Sequence, residues 1–327
     1  MRWLALGLTL TALALGIGGV AFLHRGPTPT EGGALIVIRQ GDALTTIGER
    51  LAQARVIRSR PLFRLWARAT GLDRSIQPGE YRFDEATDVR AVVRKLARGT
   101  QRPGLTIPEG LTVREVAALL AEAGLGAEAS FLCLADDPEF LLEAGVPGAQ
   151  LEGYLFPDTY RLSPLMAPGE ILGTMVRRFH ERFSAAHYQR AAARGLSVNE
   201  VITLASIIEK ETGRAEERAH IAGVFANRLR IGMRLQSDPT VIYGIPNFGG
   251  NLTRTHLREP TPYNTYVISG LPPGPIANPG LAAIEAALAP ADVPDLYFVS
   301  KNDGSHAFSK TLAEHNRAVN RYQRRRR

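Results

Sequence analysis

The amino-acid sequence predicts an α+β protein with an N-terminal transmembrane helix, a small mixed module and a larger helix-rich domain with short strands. Three observations support this class. An uncharged apolar run lies near the N-terminus, strand-like and helix-like segments alternate after it, and capped helices with isolated strands fill the rest. The expected boundaries are 1–25 for the anchor and its flanks, 26–33 for a linker, 34–100 for the module and 101–327 for the larger domain.

The composition indicates a folded chain that is long enough for two cores. It has 327 residues, of which 45% are hydrophobic and 22% are charged, so neither extensive disorder nor a polytopic membrane protein is indicated. The net charge of +7 raises the question of nucleic-acid binding. The basic residues are dispersed except at 324–327, and no RNA-binding signature or zinc spacing occurs. We therefore expect a basic surface and no nucleic-acid partner.

The chain has a single cysteine, which limits its redox and metal chemistry. Cys133 stands in the apolar segment FLCL, so an intramolecular disulfide and a cysteine-based metal site are excluded. We interpret this residue as a buried structural thiol. His306 and His315 lack the spacing of metal ligands and are interpreted as structural or close to a substrate. We expect no metal and no cofactor.

Residues 3–23 predict a membrane anchor. The run WLALGLTLTALALGIGGVAFL carries no charge, and roughly 20 apolar residues span a bilayer as a helix. A cleaved signal peptide would have a shorter apolar region and a small-x-small site, which FLH does not offer. The amino terminus and Arg2 favour a cytoplasmic N-terminus, so the rest of the chain is expected outside the cytoplasm. The Pro/Gly/Thr-rich segment GPTPTEGG then reads as a linker.

The small module alternates strands and helices. The predicted elements are a strand at 34–39, a helix through Leu51 capped by Thr45 or Thr46, a helix at Arg60–Ala69, a strand after the turn at 76–79 and a helix at 89–96. With the element GDAL before its first helix, this order resembles a LysM-like carbohydrate-binding module. A plain structural spacer is the alternative interpretation.

The larger domain begins with a short strand near Leu105 and continues as a series of helices. Thr112 with Glu115, and Ser197 with Glu200, have the spacing of capping boxes, which mark helix starts. A short strand at 296–300 is expected in the C-terminal third.

The helix that starts at Ser197 carries two candidate catalytic carboxyls. This helix has an apolar stripe formed by Val201, Leu204, Ala205 and Ile208. Glu209 and Glu211 lie on the two shoulders of the stripe. A carboxyl at the edge of a packed face loses water, which raises its pKa and keeps a proton available for a leaving oxygen. Helix geometry does not distinguish the two residues. Both could also be ordinary solvated charges.

Polar and aromatic loops follow this helix. The segments LQSDPTVIYG, TPYNTY and GLPPGPI place tyrosines beside amide and carboxylate groups, a combination that suits sugar faces and hydroxyls. Each tyrosine alone could equally be a packed loop residue.

Several motifs carry a resemblance to a known family. LASIIEKET, NRLRIGMRLQSDPTVIYG, PYNTY and GLPPGPI, in this order, resemble the endolytic murein transglycosylase family, also called MltG or YceG-like, and LEGYLFPDTY and YFVSKNDGSHAF belong to the same resemblance. The resemblance covers nearly the whole chain. It implies a lytic transglycosylase that cleaves the MurNAc–GlcNAc linkage of peptidoglycan without water and leaves 1,6-anhydro-MurNAc ends.

The resemblance also implies roles for individual residues. Glu209 matches the family's essential glutamate, which serves as acid and then base. The residues expected to bind substrate are Gln236, Asp238, Tyr243, Tyr263, Asn264 and Tyr266. The implied partners are glycan strands, the cytoplasmic membrane and the cell-wall synthesis machinery, and the implied location is the bacterial inner membrane.

Two other classes of function stay open from the sequence. One is a membrane-tethered scaffold that binds peptidoglycan without chemistry. The other is a muramidase that uses water, with Asp238 or Glu152 as a second carboxylate.

Overall fold

The structure is a computed structural model that describes residues 26–27, 33–39, 41–99, 104–246 and 248–324. The predicted membrane helix at 3–23 lies outside these residues. In the described ranges no single helix is long and apolar enough to cross a membrane. One bent pair, Ala185–Ala193 with Val198–Glu211, meets the length and composition requirement only when the two helices are taken together.

The chain forms two compact units, divided between Pro103 and Gly104. In the first unit two antiparallel strands pair from Ala34 opposite Phe83 to Ile38 opposite Gly79. The elements of this unit are β1 (Ala34–Ile38), α1 (Leu44–Gln53), α2 (Arg60–Ala69), a 3₁₀ turn (Leu72–Ser75), β2 (Gly79–Phe83) and α3 (Val89–Arg98).

The core of the first unit is apolar and lies where the three helices meet the inner face of the two-stranded sheet. Leu51, Phe63 and Leu96 are fully buried there. The Asp88 side chain caps α3 by accepting a hydrogen bond from the Ala91 N–H. The prediction that Thr45 or Thr46 caps α1 is wrong, because the N-cap is Ala43 and makes no side-chain bond.

The second unit is helix-rich with short strands, so the predicted α+β class is confirmed. Its strands pair antiparallel as β3 with β4 and as β5 with β6. The elements are β3 (Leu105–Thr106), α4 (Val113–Glu122), α5 (Glu128–Ala135), α6 (Pro138–Ala144), β4 (Thr159–Tyr160), α7 (Pro168–Arg182), α8 (Ala185–Ala193), α9 (Val198–Glu211), α10 (Ala215–Arg230), α11 (Asp238–Tyr243), a 3₁₀ turn (His256–Arg258), α12 (Leu281–Leu288), β5 (Tyr297–Ser300), β6 (His306–Ser309), α13 (Leu312–Val319) and a π-helical turn (Asn320–Arg324).

Helix α9 is the centre of the second unit. Its start is fixed by the predicted capping box, in which the Ser197 side chain accepts from the Glu200 N–H and the Glu200 side chain accepts from the Ser197 N–H. The capping box of Thr112 and Glu115 at α4 is confirmed as well. Helix α9 packs against α8, α10, α11 and α12, so all residues from Val201 to Ile208 are buried. The predicted stripe is therefore only one side of a helix that is buried all round.

The expectation that Cys133 is a buried thiol is wrong. Its side chain is exposed on α5. The helix buries Phe131, and a residue two positions further lies about 200° round the helix axis, on the opposite side.

Candidate active site

The Glu209 carboxyl lies near the C-terminal end of α9, where the helix reaches the surface of the unit. Its side chain is only 7% exposed. Oε2 accepts a hydrogen bond of 2.9 Å from the backbone N–H of Gly280, the N-cap residue of α12. Oε1 lies 3.5 Å from Nη2 of Arg218 on α10. The buried Nε of Arg218 finds no hydrogen-bond partner among the described residues.

Opposing influences set the pKa of Glu209, and the net direction is upward. Burial is the largest cause and raises the pKa, and the negative charge of Glu109 raises it further. The Gly280 N–H and the Arg218 guanidinium act in the other direction, because they stabilise the ionised form. This carboxyl can hold a proton and can also persist as an anion after releasing it, which is the requirement for one group that serves as acid and then base.

The segment that presents Gly280 to Glu209 is held along α9 and against the loop before α4. The N–H of Ile276 donates to the Ser206 hydroxyl at 3.0 Å. Asn278 donates its backbone N–H to the Leu111 carbonyl and accepts from the Gly110 N–H, both at 2.8 Å. These bonds fix the loop and the segment as a pair beside the carboxyl.

Glu109 lies on that loop, next to Gly280. The Cα of Gly280 has no side chain, and a Cβ there would overlap the Glu109 carboxylate. Gly110 adopts a φ of +79° and packs towards the Cγ of Glu209. The Gly110 carbonyl also accepts a 3.2 Å bond from Lys210 Nζ. Loop and helix therefore bring two carboxylates, those of Glu109 and Glu209, close to Gly280.

A second buried carboxyl, Glu152, stands at the N-terminus of α4. It is 6% exposed and accepts from the Val113 N–H at 3.1 Å, from Asn278 Nδ2 at 3.2 Å and from the Tyr243 hydroxyl at 3.3 Å. Burial raises its pKa to about 8, against the lowering effect of the hydrogen bonds from Val113 and Tyr243. Its partners tie three chain segments together, so Glu152 holds the framework of the site.

Two of the predicted sugar-binding tyrosines pack against each other near Glu152. The rings of Tyr243 and Tyr263 meet edge to face with centroids 4.8 Å apart. The hydroxyl of Tyr263 lies 3.3 Å from the Gln150 side-chain oxygen. Burial raises the pKa of Tyr243, and the neighbouring Glu152 adds to the effect. Both tyrosines thus belong to one polar aromatic cluster.

Asp238 and Tyr266 form a second pair, close to Glu211. The Tyr266 hydroxyl donates to Asp238 Oδ1 at 2.6 Å. The Ser237 hydroxyl donates to Glu211 Oε1 at 2.5 Å. Burial raises the pKa of Glu211 to about 7, which the Ser237 bond opposes. Glu209 and Glu211, which sequence could not distinguish, therefore face different neighbours.

Gln236 and Asn264 fix the loops beside this pair. Gln236 is exposed and has a φ of +52°, a left-handed conformation that a glutamine adopts at a cost. Its N–H donates to the Thr265 carbonyl at 3.1 Å. Asn264 is fully buried. Its side-chain Nδ2 donates to the carbonyls of His256 and Glu259, and its Oδ1 accepts from the Tyr266 N–H. Any part that Asn264 plays in sugar binding acts through the loop it holds.

The two histidines of the C-terminal third each have a partner other than Glu209. His306 Nδ1 pairs with Glu217 Oε2 at 2.7 Å. The His315 ring stacks on Tyr297, and burial lowers its pKa. In the part of the chain that the structure describes, no group of three or more His, Cys, Asp or Glu residues is arranged to hold a metal ion.

Sequence reasoning placed Glu209 at the edge of a packed helix face but missed the groups around its carboxyl. Arg218, Gly280 and Glu109 were not among the predicted site residues. Gly280 closes the segment that follows GLPPGPI, and Glu109 stands in the PEG turn before the Thr112 cap. A glycine directly before a helix and an acidic residue in a proline-glycine turn are the local signals that could have drawn attention to them.

Known proteins resemble this chain along most of its length. A sequence model of the YceG-like family matches residues 36–321. An endolytic murein transglycosylase of Bacillus subtilis (strain 168) is 33% identical over 304 residues, which cover 88% of this chain and 84% of that protein. An endolytic murein transglycosylase of Streptococcus pneumoniae serotype 2 (strain D39 / NCTC 7466) is 30% identical over 316 residues. These cover 86% of this chain and 57% of the pneumococcal protein, so the chain spans little more than half the length of that relative.

A solved structure has the same fold. The crystal structure of a yceG-like protein from Listeria monocytogenes matches with a TM-score of 0.61 and 32% sequence identity. The match covers 88% of this chain and 100% of that one.

Proposed function

The chain belongs to the YceG-like family, and from this premise we propose that it is a peptidoglycan lytic transglycosylase with Glu209 as its single acid and base. The observation that carries the proposal is the environment of the Glu209 carboxyl. Its side chain is only 7% exposed and its pKa is raised. The Gly280 N–H and the Arg218 guanidinium lie where they stabilise the ionised form of the carboxyl.

One carboxyl suffices for the proton transfers of the proposed reaction because the nucleophile is part of the substrate. Glu209 donates its proton to the oxygen that leaves with GlcNAc, and the bond from that oxygen to C1 of MurNAc breaks. The 6-hydroxyl of the same MurNAc then attacks C1, and Glu209 accepts the hydroxyl proton. The products are a GlcNAc-terminated strand and a 1,6-anhydro-MurNAc end, and Glu209 is protonated again.

The predicted sugar-binding residues have two distinct settings in this proposal. Tyr243 and Tyr263 offer aromatic surface, and the pair of Asp238 with Tyr266 offers polar atoms. Stacking on rings combined with directional hydrogen bonds suits a glycan. Gln236 is exposed at a strained turn, which is a common property of ligand-contacting loops.

Mass spectrometry of the products tests the reaction. Residues 26–327 are incubated with purified glycan strands, and we expect 1,6-anhydro-MurNAc ends. Reducing MurNAc ends would show hydrolysis and favour the muramidase alternative. Binding without any cleavage would favour the scaffold.

The N-terminal parts have roles that are also proposals. Residues 3–23 anchor the chain in the inner membrane with the rest outside the cytoplasm, where glycan strands and the cell-wall synthesis machinery are found. The LysM-like module at 34–100 binds glycan, and a groove of about 170 Å³ lined by Gly41, Asp42, Asp73 and Pro78 supports this. Membrane fractionation of cells tests the anchor, and recovery of the full chain in the soluble fraction would contradict it.

Co-sedimentation of the full chain with insoluble peptidoglycan tests glycan binding by the module. The unchanged protein is compared with Asp42→Ala, and equal co-sedimentation of the two would contradict binding in the groove.

A further inference from the structure

We propose that Glu109 is a second catalytic carboxylate, which faces the sugar ring across Gly280 from Glu209 and stabilises the positive charge that develops there during bond cleavage. This inference rests on the proposed function. Breaking a glycosidic bond gives the ring oxocarbenium character, and a nearby carboxylate lowers the energy of that state.

The distance between the two carboxylates follows from their contacts with Gly280. Glu209 Oε2 binds the Gly280 N–H at 2.9 Å, and the Glu109 carboxylate fills the space that a side chain at Gly280 would occupy. The two groups are therefore within about 8 Å of each other, given the dimensions of one residue. Paired carboxyls that act on glycosidic bonds lie roughly 5 to 9.5 Å apart.

The position of Glu109 is fixed by the backbone around it. Gly110 and Leu111, the next two residues, form backbone bonds of 2.8 Å to Asn278. Asn278 Nδ2 also donates to the Leu111 carbonyl at 2.8 Å. Glu109 itself is exposed, so its carboxylate can meet a substrate. A freely solvated loop charge would need neither these bonds nor a residue without a side chain at 280.

Electrostatics between the two carboxyls give the inference a specific signature. The charge on Glu109 disfavours ionisation of Glu209 and so raises its pKa. Cleavage needs Glu209 in its protonated form. Removing the Glu109 charge should therefore lower the pKa of Glu209 and move the basic limb of the pH–rate profile to lower pH.

The test compares Glu109→Gln with the unchanged protein on purified glycan strands across a pH series. We expect kcat to fall about 10- to 100-fold, KM to stay within about threefold, and the basic limb to move to lower pH. Glu122→Gln, which removes an exposed carboxylate at the end of α4, is the matched control and should behave as the unchanged protein.

Gly280→Ala provides an independent variant. Gly280 has φ −75° and ψ 167°, which alanine adopts readily, and its N–H to Glu209 is kept. The added methyl must displace the Glu109 side chain, so this variant should reproduce the Glu109→Gln profile, and combining the two should add little further loss. Unchanged kcat and pH profile in Glu109→Gln, or a rise in KM alone, would overturn the inference. Absence of cleavage by the unchanged protein would instead refute the proposed function.

Discussion

Replacing Glu209 by Gln is expected to lower kcat for strand cleavage by about 10³-fold or more, with a folded protein that still binds glycan. The amide can neither donate an acidic proton to the leaving oxygen nor accept one from the attacking hydroxyl, so both proton transfers fail. Steady-state kinetics on purified glycan strands measure the effect. A loss of kcat with little change in KM is the result that identifies a group used in the transition state.

The fold should survive this substitution. Glutamine keeps the side-chain oxygen that accepts from the Gly280 N–H, so that contact persists. The bond to Arg218 is long, at 3.5 Å, and its loss should cost little. Circular dichroism is expected to give a melting temperature close to that of the unchanged protein, so that a loss of activity cannot be attributed to unfolding.

Glu211→Gln is the matched comparison on the same helix. It removes the same charge two residues further along, from a carboxyl whose oxygen accepts the Ser237 hydroxyl. Glutamine retains that acceptor, so we expect kcat within about tenfold of the unchanged enzyme. The opposite ranking, in which Glu211→Gln is inactive and Glu209→Gln active, would reassign the acid and base to Glu211.

Local sequence signals were sufficient for the starts of α2, α4 and α9, but not for the start of α1. Capping boxes are short-range patterns, and those at Thr112 and Ser197 form as predicted. The helix at Arg60–Ala69 has its predicted bounds, with Ser59 as the cap. Such features depend on groups three or four residues apart, so the local sequence alone determines whether they form.

Contacts over long sequence separations were not predictable in the same way. Gly280 lies 71 residues after Glu209, and Gly110 lies 100 residues before Lys210, yet each pair is joined by a hydrogen bond. Helical periodicity carries no information about such partners, because they depend on how separate segments pack. The all-round burial of α9 escaped prediction for this reason, since it results from four other helices.

Asn264 illustrates a related limit. A polar side chain in a tyrosine-rich loop suggests a residue that binds sugars. Buried polar groups need hydrogen-bond partners, however, and the Asn264 amide forms its hydrogen bonds with backbone groups. Residue type alone does not distinguish a side chain that binds substrate from one that holds the loop. The distinction requires its hydrogen-bond partners.

Asn278→Ala is expected to destabilise the second unit by about 3 kcal/mol, which corresponds to a fall in melting temperature of roughly 6 to 12 °C. The Asn278 side chain is completely buried and accepts from the Leu155 N–H at 2.9 Å. It donates to Leu111 and to the buried carboxyl of Glu152. Truncation leaves the Leu155 N–H without its acceptor, takes one donor from Glu152 and opens a small cavity.

Thermal unfolding followed by circular dichroism measures this change, with Asn251→Ala at an exposed site as the matched control, expected within about 0.5 kcal/mol of the unchanged protein. The backbone of Asn278 would still bond to Gly110 and Leu111, so Glu109 and Gly280 should keep their positions at temperatures where the variant is folded. Its loss of kcat there should be much smaller than that of Glu209→Gln. An unchanged melting temperature would show that the three segments are held together without this side chain, and a loss of kcat as large as that of Glu209→Gln would mean that Asn278 acts in the reaction itself.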